Sequence, residues 1–519
     1  MKKPVALIVL DGWGYSEDPE NNAVMMANTP FYDSLWQKYP HTLLEASGTY
    51  VGLPEGQIGN SEIGHTTIGA GKIIDTDLVR IAKEIENGDF AKNETLQNGI
   101  KKAAQSNSQI HVISLIGEGG VHSHQSHFDA TVEAIKKDSS KVDSAPVKTF
   151  LHLFTDGRDC GPFDSISFLE KIEKMQDNNV KVGSISGRYF AMDRDKNWDR
   201  FDKWFDLVNP KITVSEIKDV KADFVVEVKK QHQDGLTDEH IKPFLVNDCE
   251  IKENDVIIIL NFRADRVRML VEKLIELKTQ KNLEIITMTN YSSDFQDVNV
   301  IYSPMEIKGT LASEISKKGL KQTHIAETEK FAHATYFLNG GKNDKHPGEE
   351  HILIESRKDV VTHDLAPEMK CCEIASEAIR SVENGDDFLF VNFANADMVG
   401  HTANVQAIVK SLEILDGELQ KLVSKILEND GVAVITADHG NAELNFDSEK
   451  GESHTSHTTN LVPLIIVSND MKSIKDRFKI ENFSDLKKEE KPSLKDITPT
   501  IFKMLEIEKP EFMTGESLI

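Results

Sequence analysis

Residues 407–441 read AIVKSLEILDGELQKLVSKILENDGVAVITADHGN. In the first two thirds the apolar residues Ile408, Leu412, Leu415, Leu419, Leu422 and Ile426 recur at spacings of four and three. That is the stripe of a helix with one buried face, and Asn429-Asp430-Gly431 marks its end. GVAVITA follows, short, β-branched and without polar alternation, as a strand covered on both faces reads. The strand runs directly into a polar motif, DHGN. Helix, buried strand and strand-end motif together predict an α/β protein built on mostly parallel sheets.

The same unit recurs along the chain. Apolar runs start at Pro4 (PVALIVL), Gln109 (QIHVISLIG), Lys148 (KTFLHLF), Lys181 (KVGSIS), Asp255 (DVIIILNF) and Asp386 (DDFLFVNF). Polar, mostly Gly-containing motifs follow them: DGWG, GEGGVHSH, TDGRD, GRYFAMDRD, RADR and ANADMVGH. Ligands of open α/β sheets bind outside the carboxyl ends of the strands, so these motifs are the candidate site. Asp, Ser and His dominate the motifs near the two ends of the chain, and Arg dominates those in the middle. This predicts two domains, the second inserted into the first: residues 1–74 and 311–519 against residues 75–310, with linkers near Ile74–Arg80 and Asn299–Thr310.

Composition narrows the partners. A chain of 519 residues exceeds what one core serves. Its net charge of −25 argues against nucleic acid or an anionic membrane as partner. No apolar run approaches membrane-spanning length. The opening MKKPVALIVL resembles a short signal peptide, but Asp11 and Gly12 end the apolar run and no small-residue cleavage site follows. A first buried strand is expected there. The four cysteines, Cys160, Cys249, Cys371 and Cys372, match neither a zinc pattern nor a disulfide framework, and the adjacent pair points to a reduced, cytoplasmic setting. The charge-rich stretch from Ser468 reads as a solvated surface excursion.

The end segments supply Asp11, Ser61, Asp397, His401, Asp438, His439 and His457. Asp397 and His401 are four apart, on one face of a helix or its entry turn. Mixed carboxylate and imidazole donors suit manganese or zinc better than calcium. Seven groups exceed the needs of one four-coordinate ion and suit two ions sharing a substrate oxygen. Ser61, in GNSEIGHTTIGAGK, lies where backbone N–H groups can approach an anion. Its hydroxyl would need a base or a metal to act as a nucleophile, and the same stretch also reads as a turn with a capping serine. The middle of the chain carries His122, Arg158, Arg188, Arg194, Arg263 and Arg266. In so acidic a chain, clustered arginines suggest a clamp for phosphate or carboxylate. Asp156, Asp159, Asp193, Asp195 and Asp265 lie among them, so internal ion pairing is the other reading, and both can hold.

DGWG, GNSEIGH with IGAG, GGVHSH, DGRD, GRYFAMDRD, NFRADR, AETEKFAH, ANADMVGH, TADHGN and HTSHTTN resemble, in order and spacing, the cofactor-independent phosphoglycerate mutases of the alkaline phosphatase superfamily. The likeness covers essentially the whole chain. Thr66-Thr67, Lys72 and the long stretch after Ser468 depart from the usual pattern, and none is a metal-ligand position. The resemblance implies an alkaline-phosphatase-like α/β/α sandwich with a second α/β domain inserted. It implies interconversion of 3-phosphoglycerate and 2-phosphoglycerate in glycolysis and gluconeogenesis, through a phosphoserine at Ser61. It implies two divalent ions, manganese first with magnesium, zinc or cobalt as alternatives, and no 2,3-bisphosphoglycerate. One ion would rest on Asp397, His401 and His457, the other on Asp11, Ser61, Asp438 and His439. Substrate would meet His122, Arg158, Asp159, Arg188, Arg194, Arg263, Arg266 and Lys330, with Ser61, Asp159 and Lys330 in the chemistry. A monomer is expected. A phosphatase, phosphopentomutase or sulfatase-like relative on the same core, or a non-catalytic metal- or phosphate-binding descendant, is the competing reading. A plain hydrolase has no need of the DGRD and NFRADR clamps, and a descendant would have lost Ser61 or a metal ligand.

Overall fold

A computed structural model describes residues 3–139, 146–210, 223–448, 450–470 and 473–519. The chain separates into two compact units: Met1–Thr76 with Glu306–Ile519, and Asp77–Met305. The first crossing falls two residues after the position expected from sequence, and the second five residues before it. The physical reasons are local. Asp77 opens the helix Asp77–Glu86 of unit 2. Thr310 is the N-cap of the unit 1 helix Leu311–Lys317 and shares a capping box with Ser313, so it belongs to that helix and not to a linker. Asn299–Tyr302, also read as linker, forms a strand of the unit 2 sheet.

The strands in chain order are β1 Val5–Leu10, β2 His41–Leu44, β3 Ile110–Leu115, β4 Thr149–Thr155, β5 Val180–Gly187, β6 Phe244–Leu245, β7 Val256–Ile259 and β8 Glu284–Thr289. They continue with β9 Asn299–Tyr302, β10 Gln322–Glu327, β11 Glu349–Ile354, β12 Phe388–Phe393, β13 Val432–Thr436, β14 Phe446–Asp447, β15 Glu452–Ser453 and β16 Val462–Ser468. Unit 1 holds a sheet in the order β11-β10-β12-β1-β13-β16-β2. Its first five strands are parallel, and β16 and β2 close one side antiparallel. Unit 2 holds a sheet in the order β6-β5-β4-β3-β7-β8-β9, parallel except for β6. A small β14–β15 ribbon completes the described strands.

Each sheet is covered on both faces, which explains the unbroken apolar runs. In unit 2, Val112, Leu151 and Ile258 pack with Leu96, Phe128 and Leu169 from helices on one face. Their sequence neighbours Ile113, Phe150 and Ile257 pack with Phe201, Trp204 and Leu270 on the other. Successive side chains of a strand point to opposite faces, so a sheet buried twice tolerates no polar alternation. In unit 1 the helix Val405–Glu428 buries the stripe read from sequence, Ile408 through Ile426, and is capped by Asn404.

The stretch after Ser468 is more than a solvated face. Phe478 and Phe483 are buried, and Thr42 of β2 donates a hydrogen bond to the Phe478 carbonyl. Residues 471 and 472 of this stretch lie outside the described residues. No helix among the described residues is long and apolar enough to cross a membrane.

Candidate functional site

Three neighbouring parallel strands of unit 1 deliver its chemistry. β12, β1 and β13 end in register, Leu10 beside Phe393 and Val9 beside Thr436. Asp11 follows β1, Asp397 lies in the short helix Asn395–Gly400 after β12, and Asp438 and His439 follow β13. Gly12, at φ +78°, lets the chain turn beneath Asp397; a Cβ there would come within 2.6 Å of the Asp397 backbone. The helix Ser61–Ala70 starts against these ends. Asn60 caps it by accepting from Ile63 N at 3.0 Å, and Gly64 permits the close approach to Asp438. Ser61 is therefore the first residue of a helix, where free N–H groups favour an anion.

Ser61 Oγ lies 2.6 Å from Lys330 Nζ, 2.9 Å from His439 Nε2 and 3.4 Å from Asp11 Oδ1. Lys330 Nζ is also 2.6 Å from Asp11 Oδ1 and from Asp397 Oδ2. Burial works against the lysine charge, but Asp11, Asp397 and Asp438 outweigh it and hold the amine well above its ordinary range. Burial likewise raises Asp11, helped by Asp438. Asp397 goes the other way: burial pushes it up, and Lys330, His401 and His457 more than reverse that.

The donor set fits metal ions. His401 Nε2 and His457 Nε2 lie 3.3 and 3.1 Å from Asp397 Oδ1, and 3.2 Å from each other. Their Nδ1 atoms face the carbonyls of Thr455 and Gly59 at 2.7 and 2.9 Å. A carbonyl only accepts, so each Nδ1 carries a proton, and the neutral imidazole then has its Nε2 lone pair free for a cation. Two Nε2 atoms and a carboxylate oxygen converging at these distances suit a cation. Nearby, Asp438 Oδ2 is fully buried, with His65 Nδ1 at 3.3 Å and His439 Nε2 at 3.5 Å. Sets Asp397–His401–His457, Asp11–Asp397–His439 and Asp11–His65–Asp438 each bring their donor atoms within 4.8 Å. All seven residues read from sequence as metal ligands thus stand in one cluster, and Lys330 joins it.

Unit 2 assembles its arginines in the same way, past the ends of β3, β4, β5 and β7. Arg188 is buried, and its Nη1 donates to Asp156 Oδ1 at 2.5 Å and Asp159 Oδ2 at 2.6 Å. Asp156 also accepts from the Arg158 and Asp159 backbone N–H groups at 3.2 and 3.0 Å, which shapes the DGRD turn. Asp265 receives Arg194 at 3.3 Å and Arg263 at 3.2 Å. Arg158 pairs with Glu239 at 3.5 Å. Arg266 donates to the Met192 carbonyl at 3.3 Å; burial first, then Arg188, Arg194 and Arg158, lower its pKa. His122 lies 3.5 Å from Asp265 and 3.9 Å from Asp159, and burial, then Arg188, push it down to about 4. It is neutral at physiological pH. Internal ion pairing is present, since carboxylates orient the arginines, and Arg158, Arg188 and Arg194 lie close enough to Arg266 to lower its pKa.

Residues 3–509 match the model of the Metalloenzyme superfamily. The chain is 41% identical, over 100% of its length and 99% of the relative's, to the 2,3-bisphosphoglycerate-independent phosphoglycerate mutase of Clostridioides difficile (strain 630). It is likewise 41% identical to 2,3-bisphosphoglycerate-independent phosphoglycerate mutase 1 of Methanosarcina barkeri (strain Fusaro), over 100% of its length and 98% of that protein's. The chain belongs to this mutase family. A solved phosphoglycerate mutase from Leishmania mexicana, crystallised at low cobalt concentration, shares the fold with a TM-score of 0.61 at 26% identity. That match covers 100% of this chain and 98% of the other.

As a member of that family the chain is a metal-dependent enzyme with the α/β/α architecture expected from sequence. Sequence reasoning left out the residues that hold the ligands in place. Asn441 donates to Asp397 Oδ1 at 2.8 Å, and Glu443 accepts from Gly14 N and Asn441 N at 3.1 and 2.8 Å. His65 and Asn392 lie behind Ser61 and Asp11. The signal for His65 was present: it stands four after Ser61 on the same helix. Asn392 offers no local signal, because it reads as one more residue of a buried strand.

Proposed function

We propose that this mutase interconverts 3-phosphoglycerate and 2-phosphoglycerate by carrying the phosphoryl group on Ser61. The observation that carries the reading is the Ser61 hydroxyl itself. It is the first residue of a helix, nine-tenths buried or more, with Lys330 at 2.6 Å and His439 at 2.9 Å. Asp397, His401 and His457 would hold one divalent ion, and Asp11, Ser61, Asp438 and His439 the other. Manganese is the first candidate, with magnesium, zinc or cobalt as alternatives. When bound, such ions supply positive charge that lowers the proton affinity of the serine hydroxyl and offsets the charge on phosphoryl oxygens.

The protein's own groups then account for the remaining steps. Ser61 would react as the alkoxide, its hydroxyl proton released to water beforehand. Oγ attacks phosphorus in line as the bond from phosphorus to the C3 oxygen breaks, and the alkoxide is regenerated when the phosphoryl group leaves again. Lys330 and the helix N-terminus donate to the phosphoryl oxygens, where most catalysis of this transfer lies. Asp159 gives a proton to the C3 oxygen as it leaves, and later takes one from the C2 hydroxyl. Arg263 and Arg266 grip the glycerate carboxylate while it reorients, and Arg158, Arg188, Arg194 and His122 line the same region. The C2 oxygen then takes the phosphoryl group back from Ser61. Unit 1 in this reading is the metal-binding, phosphatase-like part, and unit 2 the substrate-binding part. The enzyme acts as a cytoplasmic monomer in glycolysis and gluconeogenesis, without 2,3-bisphosphoglycerate.

The test is a coupled mutase assay with and without chelator, together with acid quench of the enzyme on phosphoglycerate and mass mapping of the label. Phosphate on Ser61 and loss of turnover on chelation are expected. Label on another residue, or full turnover in chelator, would overturn the reading.

A further inference from the structure

Behind the site lies a chain of polar groups that no step above uses. His65 is fully buried in the helix Ser61–Ala70. Its Nδ1 faces the Ser61 carbonyl at 2.8 Å. Its Nε2 faces Asn392 Nδ2 at 3.1 Å. Asn392, also fully buried, lies on β12, and its Nδ2 donates to Asp11 Oδ2 at 2.8 Å.

The proton positions follow from which atoms can donate. An ionised carboxylate only accepts, so the Asn392 amide must turn its NH2 group toward Asp11. Its second N–H is then spent on His65 Nε2, which must accept and therefore carries no proton. The Ser61 carbonyl also only accepts, so His65 holds its proton on Nδ1. The result is a directed line from the Asp11 carboxylate through the Asn392 amide to the His65 imidazole, whose Nδ1 faces the Ser61 carbonyl and, at 3.3 Å, Asp438 Oδ2. The Asn392 Oδ1 atom is left without a partner, which shows that the amide is oriented by its two N–H groups alone. The imidazole is held from the sides by Phe390, with ring centres 5.7 Å apart, and by His333 at 5.6 Å.

We infer that His65 and Asn392 are positioning residues for the nucleophile, tying the backbone of Ser61 to the carboxylate of Asp11. Helix and strand come from distant parts of the chain, and packing alone sets their separation only loosely. The relay converts that contact into a hydrogen-bonded distance between the nucleophile's own residue and the group beside its hydroxyl. It acts on Asp11, Ser61 and Asp438, which the proposal above assigns to one ion, and it does not touch Asp397, His401 or His457. Its effect should therefore be selective for one of the two ion sites, a property that general destabilisation of unit 1 does not have. The inference rests on the assignment of ligands proposed above.

The experiment is Mn2+ binding by equilibrium dialysis, beside kcat and KM, for Asn392→Leu, His65→Gln, His65→Asn and His65→Ala. Asn392→Leu keeps the volume and removes both N–H groups. It should weaken one of two bound equivalents by about 10–100-fold, as loss of a group supporting a ligand does. The second equivalent should stay within about twofold, with kcat reduced and KM little changed. His65→Asn can still donate to the Ser61 carbonyl and His65→Gln can still accept from Asn392, so each should be milder than His65→Ala. Asp11→Asn and Asp397→Asn serve as controls, each expected to remove one equivalent. If the controls fail to separate two equivalents, the ligand assignment falls and this inference with it. If they separate and Asn392→Leu weakens both equivalents alike, or neither, the relay is overturned while the assignment stands. Should Asn392→Leu not fold, the order His65→Asn and His65→Gln above His65→Ala decides, and equal loss in all three overturns the relay.

Discussion

The two candidate sites differ in their charged groups and in their surroundings: carboxylates and imidazoles gather in unit 1, arginines in unit 2. In unit 1, Asp11, Asp438 and His439 are fully buried, and Ser61, Lys330 and Asp397 are at most 5% exposed. In unit 2, the side chains of Arg158, Arg194 and Arg263 are 56%, 48% and 53% exposed, and Arg188 alone is sealed at 2%. Buried carboxylates are costly unless paired, so unit 1 needs Lys330 and its imidazoles for its own integrity as well as for chemistry. Exposed arginines cost little and wait in water for an anion. Under the function proposed above, the contrast is between a preorganised reaction centre and an accessible grip.

The largest effect is expected at the nucleophile. Ser61→Ala should lower mutase turnover by more than about 1000-fold, the scale seen when a nucleophile is removed. Far-ultraviolet circular dichroism should be unchanged. Turnover within tenfold of the parent would exclude Ser61 as carrier.

Lys330→Met comes next. It keeps the length and removes the buried charge that lies against Ser61, Asp11 and Asp397. A loss in kcat of about 100–1000-fold is expected, as for other groups that stabilise a charged transition state. A change confined to KM would make Lys330 a binding group instead.

In unit 2 the comparison becomes internal. Arg188→Lys retains the charge but not the planar guanidinium whose Nη1 donates to both Asp156 and Asp159, and should cost about 2 kcal/mol of unfolding free energy. Arg158→Lys, at a half-exposed site, should stay within about 0.5 kcal/mol. Equal losses in denaturant melts would show that burial does not distinguish them.

The smallest effect concerns His122. Its pKa, pushed down to about 4 by burial and then by Arg188, means the folded imidazole stays neutral where the unfolded one takes a proton. The sign follows: the group contributes nothing to stability above about pH 6.5, and its cost grows as pH falls from there toward about 4. The His122 ring resonances should not titrate between about pH 5.5 and 8, and a midpoint near 6.5 would make His122 an extra cation in the arginine group.

Much was legible without coordinates. The buried runs PVALIVL and GVAVITA announced β1 and β13, since a strand covered on both faces has no solvent side on which to place polar residues. The site motifs were legible for a related reason: parallel strands all end at one edge, so strand-end residues far apart in the chain meet there. β2 and β16, the antiparallel side of the unit 1 sheet, were not anticipated, because pairing direction is a property of two segments and neither carries it alone. The unit boundaries moved for a similar cause. Thr310 looks like linker until its capping box with Ser313 is seen.

What the sequence determined by itself is the inventory: the strands of the two sheets that read as buried runs, and the side chains with metal-binding, nucleophilic and anion-binding chemistry. Those follow from residue type and local spacing, which are properties of short segments. What only the tertiary structure decided is how the groups act on one another. It set Lys330 between two carboxylates, gave the imidazoles their tautomers through the carbonyls of Thr455 and Gly59, and ran Asn392 and His65 from Asp11 to Ser61. Apart from the contact of His65 with Ser61 on its own helix, each of these depends on distances of about 3 Å between residues tens to hundreds of positions apart, and only the packing of strands and helices into one unit brings such residues within hydrogen-bonding range.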